Sequence, residues 1–243
     1  MQTQDKQQEN VGDMVANDYR KAEIFRKYGI DFCCGGKKTI DEVCEKKNID
    51  KNTLTDELEE LDKDKEEAIE DYNKWPLDKL ADHIINKHHT YVNDSLPMLD
   101  ELSKKVAKVH GEAQPEVKEI AQHYEEVANE LRMHMQKEET MLFPFIKDME
   151  KAKRNNESVT PPMFGTVKNP INMMEKEHDS AGGNMEKIRE LSSNYTPPEH
   201  ACNSYKVLYA KLGEFEEDLH QHIHLENNIL FPKAIELEEE LLK

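Results

Sequence analysis

The chain has 243 residues, with 33 Lys and Arg against 51 Asp and Glu, so its formal net charge is −18. With 36% hydrophobic and 35% charged residues it is polar, yet still within reach of amphipathic helices, and 9 Gly and 10 Pro are too few for a collagen-like or low-complexity chain. The acidity argues against nucleic acid or an anionic membrane as partner. The length allows one large domain or two smaller ones with a sizeable core. No apolar run approaches the roughly 18 residues of a membrane span, and the opening Met1-Gln-Thr-Gln-Asp-Lys lacks a signal-peptide core. Cys33, Cys34, Cys44 and Cys202 show neither CxxC spacing nor a secreted disulfide framework, so reduced thiols and a cytoplasmic location are expected.

In chain order, the first ten residues are polar and read as a frayed end. Residues 11–62 read as a small helical module. Val15, Tyr19 and Phe25 precede a break at Tyr28-Gly29-Ile30-Asp31, and the glycines of Phe32-Cys33-Cys34-Gly35-Gly36 mark a turn. Thr39, three residues before Glu42, is a capping-box start. A further short helix near Thr53 or Thr55 places Leu54, Leu58 and Leu61 on one face. Residues 63–75 are charge-rich and read as a linker. Four longer helices follow within 76–243, from about Pro76 to Val109, Pro115 to Glu150, Pro170 to Leu191 and Glu199 to Leu241. Pro97 is expected to kink the first. No period-two stretch supports a strand. The expected fold is therefore all-α, an antiparallel four-helix bundle preceded by a small helical module.

An internal repeat carries the chemistry. His134-x3-Glu138-x3-Leu142-Phe143-Pro144 recurs 88 residues on as His222-x3-Glu226-x3-Leu230-Phe231-Pro232. His89 stands 45 residues before His134, and His178 stands 44 before His222, so two hairpins look duplicated. In the second helix Ile120, Tyr124, Val127, Leu131, His134, Glu138, Met141 and Phe145 follow spacings of four and three. Ile171, Met174, His178, Ala181, Met185 and Ile188 do so in the third. Tyr205, Leu208, Leu212, Phe215, Leu219, His222, Glu226 and Ile229 do so in the fourth. Such stripes face a bundle core.

A buried ionised Glu costs several kcal/mol unless paired, and the seams offer no Lys or Arg. Two Glu and four neutral His form a sink for cations, with a His and a Glu at i and i+4 meeting one centre. One bridging Glu from each half gives two ions two nitrogens and two oxygens each; a solvent bridge makes five and leaves one position open. Imidazole and carboxylate without thiolate favour iron or manganese over structural zinc.

Other residues carry blander assignments. A lone H-x3-E is most often a solvated pair, but two copies in phase with core seams are not. His88 competes with His89; its stripe of Tyr91, Ser95 and Leu99 is less apolar than Val92, Leu96 and Leu99, so His89 is preferred. His220 and His224 fall off the seam and are expected on a solvated face. His110, about 30 Å along the helix from His89 at about 1.5 Å per residue, is a helix-end residue, and His83, His123 and His200 are surface positions. Glu139 and Glu177 adjoin candidate ligands as supporting groups. The Leu-Phe-Pro repeats read as apolar anchors at a kink.

These residues resemble the hemerythrin-like di-iron proteins and, more closely, the repair-of-iron-centres family of the ScdA/YtfE type. The motifs are Phe32-Cys33-Cys34-Gly35-Gly36-Lys37, His89 seven residues before Leu96-Pro97, His134-x3-Glu138-Glu139, Met174-Glu175-x-Glu177-His178-Asp179, and His222-x-x-Leu225-Glu226-Asn227-Asn228, with both Leu-Phe-Pro triplets. The family's ligand pattern falls on His89, His134, Glu138, His178, His222 and Glu226, and its paired cysteines on Cys33 and Cys34. The resemblance implies two iron ions per chain in an oxo-bridged centre. It also implies a cytoplasmic homodimer that restores iron–sulfur clusters damaged by nitric oxide or oxidants, a stress response in which iron is supplied without enzymatic turnover. Damaged iron–sulfur proteins are the implied partners, and nitric oxide or dioxygen the small ligands. Cys33 and Cys34, expected near a helix N-terminus that lowers a thiol's pKa, are candidates for thiol chemistry or iron transfer; a buried structural pair is the alternative. The open position equally allows a nitric oxide reductase, a peroxidase or a dioxygen or nitric oxide sensor.

Overall fold

The structure is a computed structural model that describes residues 9–63 and 70–242. The frayed start up to residue 8, and residues 64–69 of the expected linker, lie outside the described residues. Among these there is no strand, only an isolated antiparallel bridge between Asn10 and Thr39. Among the described residues no helix is long and apolar enough to cross a membrane. The chain divides into two units: Met1–Trp75 with His224–Pro232, and Pro76–Ile223 with Lys233–Lys243.

The first unit contains α1 (Val11–Asn17), α2 (Lys21–Lys27), α3 (Ile40–Lys47), α4 (Lys51–Lys63) and a 3₁₀ turn at Tyr72–Lys74. Their ends are set by local chemistry. Asn10 accepts from the Asp13 amide to start α1, and Thr39 and Glu42 form the expected capping box of α3. Asn48, at φ 54°, ends α3 in the left-handed conformation that Asn tolerates. Asp50 accepts from the Thr53 amide at the start of α4. Val11, Val15, Ala22, Phe25, Phe32, Val43, Leu54 and Leu58 are buried, while Leu61 is half-buried.

The second unit is built from helical rods. α5 (Leu77–His83) runs through a π segment, Ile84–His89, into α6 (Thr90–His110). α7 (Glu116–Lys137) runs through Glu138–Leu142 into α8 (Phe143–Asn155), and α9 (Lys168–Leu191) is uninterrupted. α10 (Asn203–Leu225) runs through Glu226–Leu230 into α11 (Phe231–Leu241), so the segment grouped with the first unit is a stretch of one continuous rod. The four rods match the four expected helices to within a few residues at most ends. Pro97 is accommodated inside α6.

The expected seams are buried from Ile120 to Glu138, from Ile171 to Ile188 and from Tyr205 to Ile229. One stretch departs from expectation. Met141 is 43% exposed and Phe145 is half-buried, whereas Leu142, Phe143 and Ile146 are buried. The π segment at Glu138–Leu142 explains this: an i→i+5 turn takes one residue more than an α turn, and the buried stripe advances by one position.

Candidate metal centre

The π segments fall at the candidate donors. Ile84–His89 ends on His89, Glu138–Leu142 begins on Glu138, and Glu226–Leu230 begins on Glu226. In the last two the cause is legible in the repeat. Pro144 has no N–H for the carbonyl of Thr140, and Pro232 none for that of Asn228, so the α register breaks one turn after each Glu. The Leu-Phe-Pro triplets thus do more than anchor: Leu142, Phe143, Leu230 and Phe231 are buried, and each proline follows a re-registered turn.

Two groups of buried donors result. His89, Glu138, His222 and Glu226 have ligating atoms all within 4.8 Å of one another, and so do His134, Glu138, His178 and Glu226. The two carboxylates are common to both groups; each imidazole belongs to one. Glu138 Oε2 lies 3.4 Å from His89 Nε2 and 3.3 Å from His134 Nε2. His178 Nε2 and His134 Nε2 face each other at 3.0 Å. The His134 Nδ1–H donates to a Glu177 carboxylate oxygen at 2.9 Å, so its Nε2 presents a lone pair. His89 Nδ1 likewise donates to Glu139 Oε1 at 2.8 Å. Carboxylates on the outer nitrogens orient rings whose inner nitrogens bind cations. The hydrogen bond from His134, with the nearby Lys137 ammonium, holds the Glu177 carboxyl at about 2, against the desolvation that would raise it.

The donor set fits a metal. Glu138 and Glu226 are fully buried, and no lysine or arginine is buried among the described residues. Burying carboxylates without a cation carries a cost of several kcal/mol each; a metal offsets it and accepts the converging nitrogen lone pairs.

The remaining histidines sort by contact. His88 is buried but absent from both donor groups, and its Nδ1 meets Asp218 Oδ1 at 2.9 Å. His123 meets Asn184, His110 meets Cys202 and His200 meets Gln114, all away from the donor groups. His224 departs from expectation: it is buried, not solvated. The rings of Tyr19 and Phe32 lie 5.9 and 5.8 Å from it, and Asn228 bonds to its Nδ1. Burial pushes its pKa down to about 3. His220 is half-buried. Helical phase alone places His224 outside, because the aromatics covering it, Tyr19 and Phe32, lie at the far end of the chain.

Asp31, Cys33 and Cys34 form a third potential donor group. Asp31 accepts amide hydrogen bonds from Cys33, Cys34 and Gly35 and the Cys33 thiol at 3.2 Å. The paired thiols are free, Cys33 buried and Cys34 half-buried. Cys33 reverses the expectation of an acidic thiol. The nearest following helix begins only at Ile40, and the hydrogen bond with Cys34, burial and the Asp31 charge all push Cys33 well above the ordinary range. Gly36 is required by space: a Cβ there would lie 2.6 Å from the Phe32 carbonyl. Asn228 donates to the Phe32 carbonyl at 3.1 Å, tying the Cys-Cys turn to the residues that follow Glu226. The sequence marks Asp31 only as part of a break and Asn228 only as part of the family motif; neither position shows there that it would hold the Cys-Cys turn.

A helical bundle with buried His and Glu donors on repeated hairpins is a hemerythrin-like, cation-binding protein. Residues 80–234 match the hemerythrin HHE cation binding domain, and residues 7–62 match ScdA_N, described as a domain of unknown function. The chain is 36% identical over 231 residues to proteins named iron-sulfur cluster repair protein YtfE from Yersinia pestis (strain Pestoides F) and Yersinia pseudotuberculosis (serotype IB, strain PB1/+ and serotype O:1b, strain IP 31758). Each match covers 95% of this chain and 98% of the relative. The chain belongs to this YtfE family.

Proposed function

We propose that the protein repairs damaged iron–sulfur clusters and supplies iron for that repair from a dinuclear, oxo-bridged site. The observation that carries this is the pair of buried donor groups sharing Glu138 and Glu226, in a chain whose relatives are named for cluster repair. His89 and His222 would hold one iron ion, His134 and His178 the other, and Glu138 and Glu226 would bridge them. Bound by these residues, iron would supply ferric–ferrous redox chemistry, and an external electron donor would be needed to reach the more weakly held ferrous form.

The residues around it orient the donors. Glu139 and Glu177 keep the protons of His89 and His134 on Nδ1, leaving Nε2 for the ion. Leu142, Phe143, Leu230 and Phe231 are buried one turn beyond the bridging carboxylates, and the Phe143 ring stacks on His89 at 5.8 Å. Residues 11–62 form the thiol-bearing module, 63–75 the linker and 76–243 the iron-holding bundle. Cys33 and Cys34, with Asp31 beside them, take part in passing iron to the recipient. The protein acts in the cytoplasm as a homodimer, in response to nitrosative or oxidative stress, with nitric oxide or dioxygen as small ligands of the site.

The test is reactivation of a nitrosylated iron–sulfur enzyme by iron-loaded and iron-free protein. Loaded protein should restore activity and iron-free protein should not; equal restoration by both would overturn the proposal. Cys33→Ala with Cys34→Ala should keep the iron yet restore activity poorly, and full restoration would return both thiols to a structural role.

A further inference from the structure

His88 is fully buried one residue before His89, yet it enters neither donor group. Its Nδ1 lies 2.9 Å from Asp218 Oδ1. A carboxylate accepts, so the ring carries its proton on Nδ1. Its Nε2 is buried and makes no hydrogen bond with any described residue. A buried acceptor left bare is a net cost to the fold, so hydrogen bonding alone does not account for an imidazole here.

The ring's face does. His88 lies within 8° of parallel to the His222 ring, with centroids 5.7 Å apart. His222 in turn meets the His89 ring at 4.9 Å and 60°. On the other side, His83 stands edge-on to His88 at 5.9 Å. Asp218 is one turn before His222 on α10, so the carboxylate and the ring share a helix face. Asp218 therefore fixes the rotation of a ring whose flat face bears on His222. His89 and His134 are steadied differently, each through a carboxylate on its own Nδ1.

We propose that Asp218 and His88 are positioning residues for His222: Asp218 locks the His88 ring, and the locked ring sets the plane of His222. This rests on the dinuclear reading above. It further assigns the pair to one half of the centre. The group with His89 and His222 depends on it; the group with His134 and His178 does not.

The experiment is anaerobic titration of the iron-free full-length protein with ferrous iron, and separately with cobalt(II), whose visible spectrum reports coordination. The variants are Asp218→Ala, Asp218→Asn, His88→Ala and His88→Phe, each checked for folding by circular dichroism. Wild type is expected to bind two ions per chain. Asp218→Ala and His88→Ala are expected to bind one ion as wild type does and the other at least tenfold more weakly, with an altered cobalt spectrum for the weak site alone. Asp218→Asn keeps an acceptor for Nδ1–H and should rescue most of the affinity. His88→Phe keeps a flat face without the anchor and should fall between, and it serves if an alanine variant does not fold. Unchanged affinity and spectrum at both sites in the Asp218 and His88 variants would overturn the positioning role. Equal weakening of both sites would overturn the assignment to one half. Fewer than two ions in wild type would instead overturn the dinuclear reading itself.

Discussion

At the residue scale, the two acidic residues and the imidazoles are not equivalent. Glu138 and Glu226 belong to both donor groups, whereas each histidine belongs to one. Glu138→Ala or Glu226→Ala should therefore abolish magnetic coupling between two irons, while His89→Ala or His178→Ala should leave one ion bound; Mössbauer spectra and iron analysis distinguish these outcomes. A coupled pair surviving in Glu138→Ala would remove the bridging role. Gly36 makes a prediction of another kind. A methyl group there would press on the Phe32 carbonyl at 2.6 Å, so Gly36→Ala should cost about 1–3 kcal/mol in urea unfolding, the usual range for overpacking. The donor residues were legible in sequence because a charged or imidazole side chain in phase with an apolar stripe breaks the pattern unless something pairs with it. The sequence prefers His89 to His88 for its more apolar neighbours, but both are buried, and what separates them in the structure is that His89 alone joins a potential donor group. The role of Asp218 was not legible: it reads as one more acidic residue of α10, and only the approach of α10 to the Ile84–His89 segment in space gives it His88.

At the element scale, the helices were legible to within a few residues and the π segments were not. Apolar periodicity reports the average turn and is blind to one extra residue, which is why Met141 and Phe145 were expected inside and Leu142, Phe143 and Ile146 are found there. The signal that was present is proline directly after Leu-Phe, twice, at the same distance from a Glu. Restoring the missing N–H groups with Pro144→Ala and Pro232→Ala allows an ordinary α turn at each bulge. Metal affinity should then fall about tenfold, roughly 1.4 kcal/mol, while helix content by circular dichroism stays the same. Unchanged affinity would mean that packing alone holds the bulges. In the first unit, Thr39→Ala should cost about 1 kcal/mol by removing half of the capping box of α3, read from the unfolding midpoint.

At the scale of the whole molecule, the duplicated hairpins and the net charge of −18 act together. An acidic chain that fully buries Glu138 and Glu226, with no Lys or Arg buried among the described residues, is poorly stabilised until cations enter. Bound iron should therefore raise the melting temperature. Ion at about a thousandfold excess over its Kd contributes about 4 kcal/mol, or roughly 8–16 °C for a domain of this size, and a chelator should reverse the gain. A melting temperature indifferent to iron would contradict the link between burial and metal. The duplication was legible because its copies keep the same spacing. The burial of His224 was not, since sequence alone does not say that Tyr19 and Phe32 come to cover it. The most direct test of the central claim is Mössbauer spectroscopy of the full chain reconstituted anaerobically with ⁵⁷Fe and then oxidised. The account predicts two irons per chain, antiferromagnetically coupled. Less than one iron per chain, or isolated high-spin ferric ions only, would contradict it.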